Sequence, residues 1–120
     1  MTRDDFARWL DAYVEAWHTY DPDAIGDLFS EDAEYRYHPW NEPVSGRAAI
    51  VASWLGNRDE PGTWEAEYRP WAVDGDRAVA TGTSRYDNAD GKQLYHNVFL
   101  CRFDTDGRCR EFTEVYAEER

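Results

Sequence analysis

The first part of the chain has apolar residues at the three- and four-residue spacing of one helix face. They are Phe6, Trp9, Leu10, Tyr13, Val14 and Trp17. This spacing predicts an amphipathic helix over residues 3–19 with a strongly aromatic face. Asp21 and Pro22 then have the residue types of an N-cap and a first helical position, which predicts a second, shorter helix that runs into a turn at residues 30–32.

The pattern changes after this second helix. Residues 33–38 have the pattern of a short strand, and Ser45 is placed to cap a third helix, whose inward face would be Ile50, Val51, Trp54 and Leu55. Four longer strands are predicted over residues 63–73, 77–87, 92–104 and 108–118, with an Asp/Gly turn between each pair. Helices followed by an antiparallel meander predict an α+β fold, with one domain over residues 1–120 and three helices on one face of a strongly curved sheet.

The third of these long strands is apolar on both of its faces. Asn97 and Phe99 share one face, whereas Val98 and Leu100 share the other. Because the helices can cover only one face of the sheet, we predict a homodimer through the other, convex face.

Composition and charge exclude several classes of partner. The 120 residues carry a formal net charge of −12, which repels phosphate backbones and anionic membrane surfaces, so neither nucleic acid nor a membrane is expected as a partner. No apolar run approaches the roughly 18 residues of a membrane span. The start of the chain also lacks the basic and apolar regions of a signal peptide. We therefore expect a soluble, cytoplasmic protein.

The sequence has no motif for a metal or a cofactor. Its three histidines are scattered and no CxxC pair is present, so no metal site is expected. A P-loop, a dinucleotide fingerprint and a nucleophile elbow are also absent, so no cofactor is expected. Cys101 and Cys109 flank an Asp/Gly turn and would point to opposite faces in the simplest hairpin register, so no disulfide is predicted.

Three segments of the chain resemble the SnoaL-like branch of the nuclear-transport-factor-2-like (NTF2-like) superfamily. They are AYVEAWHTYDPDAIGDLFSEDA, GRAAI and YHNVFLCRFDTDGRCREFTEVY. The resemblance implies a cone, in which a bent sheet is closed by helices around a pocket, and it implies a dimer. It does not define a reaction, because the same cone hosts isomerases, dehydratases, epoxide hydrolases, cyclases and non-catalytic proteins.

The resemblance includes ketosteroid isomerase, and this allows a test of individual residues. Tyr13 falls where that enzyme has a tyrosine that donates to the substrate oxygen. Its general-base aspartate, however, falls at Tyr37, and the protonated aspartate of its oxyanion hole falls at Phe99. Both carboxyl groups are missing, so the same mechanism is not expected. The epoxide hydrolases of this fold use an Asp-Arg-Asp set, for which no interior pair of aspartates is evident. The cyclases, with a single acidic residue beside an apolar pocket, are the closest analogue.

Glu114 is the sharpest candidate for chemistry, because it alternates with two aromatic residues, Phe112 and Tyr116, on one strand face. A two- or four-residue hairpin connection would place Asn97 opposite Glu114 and Phe99 opposite Phe112. A carboxyl group on the concave face would lose water and its pKa would rise, which prepares a general acid/base for work near neutral pH.

Two alternatives for Glu114 stay open at this stage. Its side chain could point outward, or it could form a structural ion pair with Arg85 or Arg36.

The strand at residues 33–38 also has two possible inward faces. His38 lies at its end, just before Pro39, where it could assist proton transfer at the mouth of the pocket. The alignment with ketosteroid isomerase instead puts Tyr35 and Tyr37 inside, with Arg36 and His38 facing away. A slip of one residue would exchange these faces; we favour the tyrosines inside.

The sequence thus predicts a cone that binds a small hydrophobic or aromatic molecule. One hypothesis adds cofactor-independent acid/base catalysis of the isomerase, cyclase or dehydratase type: Glu114 moves the proton, Tyr13 or Asn97 holds the oxyanion, and His38 assists. The other is a non-catalytic dimeric module that binds a ligand or a protein, in which tryptophans can fill the cone. The predicted pocket walls are Trp17, Tyr35, Tyr37, Trp40, Trp54, Asn97, Phe99, Phe112 and Tyr116.

Overall fold

The computed structural model describes residues 1–89 and 91–120, and in them three helices precede a long antiparallel meander. The helices are α1 (Arg3–Thr19), α2 (Pro22–Asp27) and α3 (Arg47–Gly56). The strands are β1 (Phe29–Arg36), β2 (Val44–Ser45), β3 (Trp64–Asp74), β4 (Arg77–Asn88), β5 (Gly91–Phe103) and β6 (Cys109–Glu118). They form one sheet in the order β2-β1-β6-β5-β4-β3. This confirms the predicted α+β fold.

The caps of α1 and α2 follow the sequence signals. The hydroxyl of Thr2 accepts a hydrogen bond from the backbone N–H of Asp5, and the carboxylate of Asp5 accepts one from the N–H of Thr2, which completes a capping box. The side chain of Asp21 accepts from the N–H of Asp23, and Pro22 occupies the first turn of α2. Both helices therefore begin where the sequence predicts.

The cap of α3 differs from the prediction. Ser45 lies in β2, opposite Glu34, and makes no cap. The N-cap is Gly46, whose φ of 93° lies in the region that glycine adopts without steric cost. Its N–H donates to the carbonyl of Ala33 at 2.7 Å, so the turn from β2 into α3 is held by backbone bonds rather than by a side chain.

Strand β1 is displaced relative to the prediction. It begins at Phe29 and runs through residues 30–32, where a turn was expected, and it ends at Arg36 rather than at residue 38. Its parallel pairing with β6 contains a register irregularity between Phe29 and Glu34. The irregularity lets the acidic residues 31 and 32 face solvent while Phe29 and Tyr35 are buried.

The register between β5 and β6 differs by two residues from the simplest hairpin. The connection comprises the five residues 104–108. Arg102 pairs with Glu111 and Phe103 pairs with Cys109, so Arg110 between them has no partner position in β5 and shifts the register. An even displacement leaves the side chains of β6 beyond Arg110 on their predicted faces. The observed cross-strand pairs are Phe99 with Glu114, Asn97 with Tyr116, and Cys101 with Phe112.

The same connection corrects the prediction for the two cysteines. Five residues, an odd number, place Cys109 opposite Phe103, so Cys109 and Cys101 lie on the same inward face. Both thiols are buried and free, and they interact with each other. Burial raises the pKa of the Cys101 thiol well above its ordinary value, so it stays protonated at neutral pH.

The core fills the space between the helices and the concave face of the sheet, and aromatic residues provide its largest side chains. Trp9 of α1 contacts Phe29 and Phe103 edge to face, at centroid distances of 6.1 and 5.3 Å. Each fully buried ring of this size contributes roughly 1.5–3 kcal/mol through its removal from water. Aromatic packing thus holds α1 against the sheet and fixes where its next turns point.

The convex face of the sheet is left uncovered by the described residues, 1–89 and 91–120. Val98, Leu100 and Val115 are exposed on neighbouring positions of β5 and β6, with exposed fractions of 37%, 46% and 36%.

Among the described residues, no helix combines the length and the apolar character needed to cross a membrane.

Candidate functional site

A cavity opens inside the cone, between the helices and the concave face of the sheet. It has a volume of about 150 Å³, and the cleft measured out to its open mouth holds about 590 Å³. This size suits a molecule of one ring. The wall residues come from α1 and its C-cap, β1 and the residue after it, α3 and the loop after it, β3, β4 and β6. They are Tyr13, Trp17, Tyr20, Tyr35, Tyr37, Trp54, Asn57, Asp59, Tyr68, Ser84, Tyr86 and Glu114.

Glu114 brings an unpaired carboxyl group to this cavity. It lies on β6 opposite Phe99, is partly buried, and has no hydrogen-bond or ion-pair partner among residues 1–89 and 91–120. Its removal from water raises the pKa of the carboxyl group to about 7. Near neutral pH the group can therefore both accept and donate a proton.

The two alternatives for Glu114 are wrong. Arg36 donates to the carbonyl of Asn41 and lies 3.6 Å from the carboxylate of Glu34, away from the cavity. Arg85 is exposed on β4, where it pairs across the sheet with Glu65. Neither arginine therefore neutralises Glu114, whose side chain lines the cavity.

Tyr13 and Tyr35 form a buried pair of hydroxyl groups in the wall. Their oxygens lie 3.2 Å apart, so one hydroxyl donates to the other. Burial and the nearby charge of Glu114 raise the pKa of both tyrosines well above the ordinary value, and both stay protonated. One O–H of the pair is thus left to donate to a ligand.

Tyr37 also faces inward, which supports the predicted inward face of β1. Its hydroxyl shares a hydrogen bond of 2.8 Å with the hydroxyl of Ser53 on α3. Burial raises the pKa of Tyr37 as well.

Tyr68 reaches the cavity because its neighbour on β4 is a glycine. A Cβ atom at Gly82 would overlap the carbonyl oxygen of Glu67 and lie 2.6 Å from the ring of Tyr68. The ring instead packs against Phe99, with centroids 4.4 Å apart. Because Gly82 has no side chain, the ring of Tyr68 has the space to pack here.

Asp59 is a wall residue that the sequence reasoning missed. One of its carboxylate oxygens accepts from the indole N–H of Trp17 at 3.0 Å, and its backbone N–H donates to the hydroxyl of Tyr20 at 2.8 Å. The residue lies in the loop after α3, where no hydrophobic period predicts which side chain points inward. The only available signal was the polar stretch Asn57–Glu60 at a helix end.

Trp54 lines the cavity and carries a buried donor. Its indole N–H has no acceptor among the described residues, and the ring is only 7% exposed. A buried donor without a partner is costly. A ligand oxygen or a bound water could satisfy it.

His38 and Trp40 are not among the wall residues. The two rings stack on each other outside the cavity, with centroids 4.8 Å apart and planes within 3°. Trp40 is 80% exposed. β1 ends before His38, so the chain has already turned away from the cone.

Asn97 and Tyr116 line a second, adjoining groove of about 360 Å³. Asn97 accepts from the hydroxyl of Ser84 at 3.1 Å, and the ring of Tyr116 lies 5.3 Å from that of His38. The groove shares Asp59, Ser84, Tyr86 and Glu114 with the cavity. Glu114 thus lies where the two spaces meet.

Phe99 and Phe112 lie in the core behind the wall residues and pack against them. Both are fully buried, with centroids 4.8 Å apart, and both rings contact Tyr13. Neither is a wall residue.

Comparison with known proteins agrees with this architecture. A family model described as a SnoaL-like domain matches residues 10–112. The chain belongs to the SnoaL-like domain family. No curated protein matches it.

Two solved structures share the fold of this SnoaL-like chain. An NTF-2-like protein of unknown function from Burkholderia xenovorans LB400 has a TM-score of 0.74 at 19% identity, over 98% of this chain and 86% of that one. An LEH-like epoxide hydrolase of M. tuberculosis has a TM-score of 0.72 at 14% identity, over 96% of this chain and 84% of that one. Identities this low establish the fold alone.

Proposed function

We propose that the cavity binds a small hydrophobic or aromatic molecule and that Glu114 catalyses cofactor-independent proton transfer on it. The observation that carries the proposal is the unpaired carboxyl group of Glu114 in an aromatic cavity, with its pKa raised to about 7. Isomerisation, cyclisation and dehydration all need such a group, because each moves a proton between carbon or oxygen atoms of the substrate.

The arrangement supports a simple enolisation step. The Glu114 carboxylate takes a proton from the carbon next to a carbonyl group of the ligand, and the electron pair moves to the carbonyl oxygen. The hydroxyl pair of Tyr13 and Tyr35 donates a hydrogen bond to that developing oxyanion. Glu114, now protonated, returns the proton to a second carbon and regains its charge. Protein dipoles in the walls take the place of water around the anion.

Epoxide hydrolysis with an Asp-Arg-Asp set fits the walls less well. Asp59 and Glu114 supply two carboxyl groups, but no arginine lines the cavity among the described residues. The carboxylate of Asp59 is bound to Trp17 instead. The similarity to the M. tuberculosis enzyme therefore supports a shared cone rather than a shared reaction.

The first test is proton exchange on single-ring ketones. The protein is incubated in D₂O with cyclohexanone and related ketones, and loss of the α-carbon proton signals is followed by NMR. The wild type is expected to accelerate exchange, and Glu114→Gln to lower the rate at least about 100-fold, the range of one general base. Ligand binding, measured by calorimetry, should persist in the variant.

Glu111→Gln is the matched control, because Glu111 lies on the same strand but is exposed on the outer face. Equal exchange rates in Glu114→Gln and the wild type would contradict the catalytic role. Binding without any exchange in the wild type would favour the non-catalytic module.

We also infer a homodimer through the convex face. Val98, Leu100 and Val115 form an apolar centre there. Arg102 at its margin lies within 3.7 Å of Glu111, so both signs of charge are present. A two-fold axis through such a patch brings like apolar groups together and can pair the opposite charges at its rim.

A further inference from the structure

The charged groups of the cavity walls are both acidic. Glu114 and Asp59 line the cavity, and no lysine, arginine or histidine does so among the described residues. Arg58, an exposed residue that is not part of the wall, has its guanidinium 5.4 Å from the centroid of the Tyr20 ring. An anionic ligand would therefore meet like charge inside the cavity and find no cation to pair with.

Aromatic rings make up most of the remaining wall: Tyr13, Trp17, Tyr20, Tyr35, Tyr37, Trp54, Tyr68 and Tyr86. The electron-rich faces of such rings attract cations, by roughly 0.5–2 kcal/mol per contact, and more strongly where water is excluded. The guanidinium of Arg58 lies over the ring of Tyr20, so one ring of this wall already makes a cation–π contact. The formal net charge of −12 draws cations toward the protein and repels anions.

We propose that the ligand of this cavity carries a protonated nitrogen, bound among the aromatic rings with Glu114 as its counter-ion. The ligand class is a single-ring molecule that carries a protonated amine or ring nitrogen in addition to the carbonyl group on which Glu114 acts, as the size of the cavity allows. This inference rests on the proposed function, because it names the substrate class of the same site.

The charge of Glu114 makes this preference depend on pH. The groups that face it are hydroxyls of α1, β1, β3 and β4, together with the carboxyl group of the loop after α3: Tyr13, Tyr35, Tyr37, Tyr68, Ser84, Tyr86 and Asp59. The tyrosines stay neutral throughout the neutral range. Glu114 therefore governs the change, and affinity for an amine should rise as pH increases from about 6 to 8.

The test compares three probes of similar shape by isothermal calorimetry at pH 8. Benzylamine is a cation, benzyl alcohol is neutral and benzoate is an anion. We expect benzylamine to bind at least about ten-fold more tightly than benzyl alcohol, and benzoate to bind least. Glu114→Gln should reduce the benzylamine affinity about ten-fold and leave that of benzyl alcohol unchanged, whereas Glu111→Gln should change neither.

The outcomes separate this inference from the proposed function. Benzyl alcohol binding as tightly as benzylamine, or a preference for benzylamine that survives Glu114→Gln, would overturn the cation inference and leave the hydrophobic cavity in place. Failure of all three probes to bind a folded wild type would overturn the cation inference, and the proposed function would then stand or fall with the exchange test on ketones. A benzylamine affinity that does not change between pH 6 and 8 would also count against Glu114 as the counter-ion.

Discussion

At the scale of single residues, the feature that decides the site is a carboxyl group without a partner. Glu114 is held between aromatic side chains by β6, and no cation or hydrogen-bond donor among the described residues stabilises its charge. Such a group lowers the stability of the folded protein whenever it is ionised. An unpaired carboxyl group where the cavity and the adjoining groove meet is more easily explained by function than by packing.

The first prediction concerns the pH dependence of stability. The pKa of Glu114 is raised from 4.5 to about 7, so the folded state holds this proton more tightly than the unfolded state. Its contribution to stability is complete below about pH 4.5 and is lost as pH rises through 7, by up to about 3 kcal/mol.

Glu114→Gln should abolish this loss. The free energy of unfolding of both proteins is measured with urea at pH 5 and pH 8. The pH dependence of the other ionisable groups is the same in both proteins and cancels when the variant is compared with the wild type. The variant should become the more stable protein at pH 8. A difference between the two proteins that does not change with pH would mean that the carboxyl group is not desolvated.

At the scale of elements, the sheet positions the wall residues through close backbone approach. At Gly82 of β4, the backbone of β3 and the ring of Tyr68 lie in the space that a side chain would otherwise occupy. We predict that Gly82→Ala lowers the free energy of unfolding by at least about 2 kcal/mol, because the added methyl group overlaps backbone as well as the ring.

Gly56→Ala is the control, since its Cβ would meet nothing within 4 Å and its helix should gain from alanine. Thermal unfolding followed by circular dichroism measures both variants. Equal melting temperatures for Gly82→Ala and the wild type would show that β3 can move away without cost.

The sequence pattern predicted the helices and strands well where apolar residues recur at regular spacing, as in α1 and in β3 to β6. It predicted the inward faces of β5 and of β6 beyond Arg110 correctly. It did not predict the register of the two strands or the face of Cys109, because the extra residue Arg110 leaves no mark in the pattern. It missed Asp59 for a related reason: loop conformation depends on local hydrogen bonds rather than on periodic burial. His38 follows a strand that ends two residues earlier than its pattern indicated.

At the scale of the whole molecule, one chain covers the concave face of its sheet and leaves the convex face bare. The inferred dimer predicts that the wild type elutes with twice the mass of one chain in size-exclusion chromatography with light scattering. Leu100→Glu should shift it to a monomer, because the new carboxylates would be buried against each other. Thr105→Glu, in the exposed turn between β5 and β6, should leave the mass unchanged. A monomeric wild type would contradict the dimer.

The parallel pairing of β1 with β6 has a consequence for biosynthesis. Tyr35 has its sheet partner at Phe112, far later in the chain, so β1 cannot take its place in the sheet until β6 has left the ribosome. Until then Phe29 and Tyr35 of β1 lack their contacts with Phe112. Contacts this distant along the chain slow folding and expose apolar surface to aggregation. Nascent chains of this protein should therefore depend on chaperones that shield the aromatic residues of β1 until β6 has been synthesised.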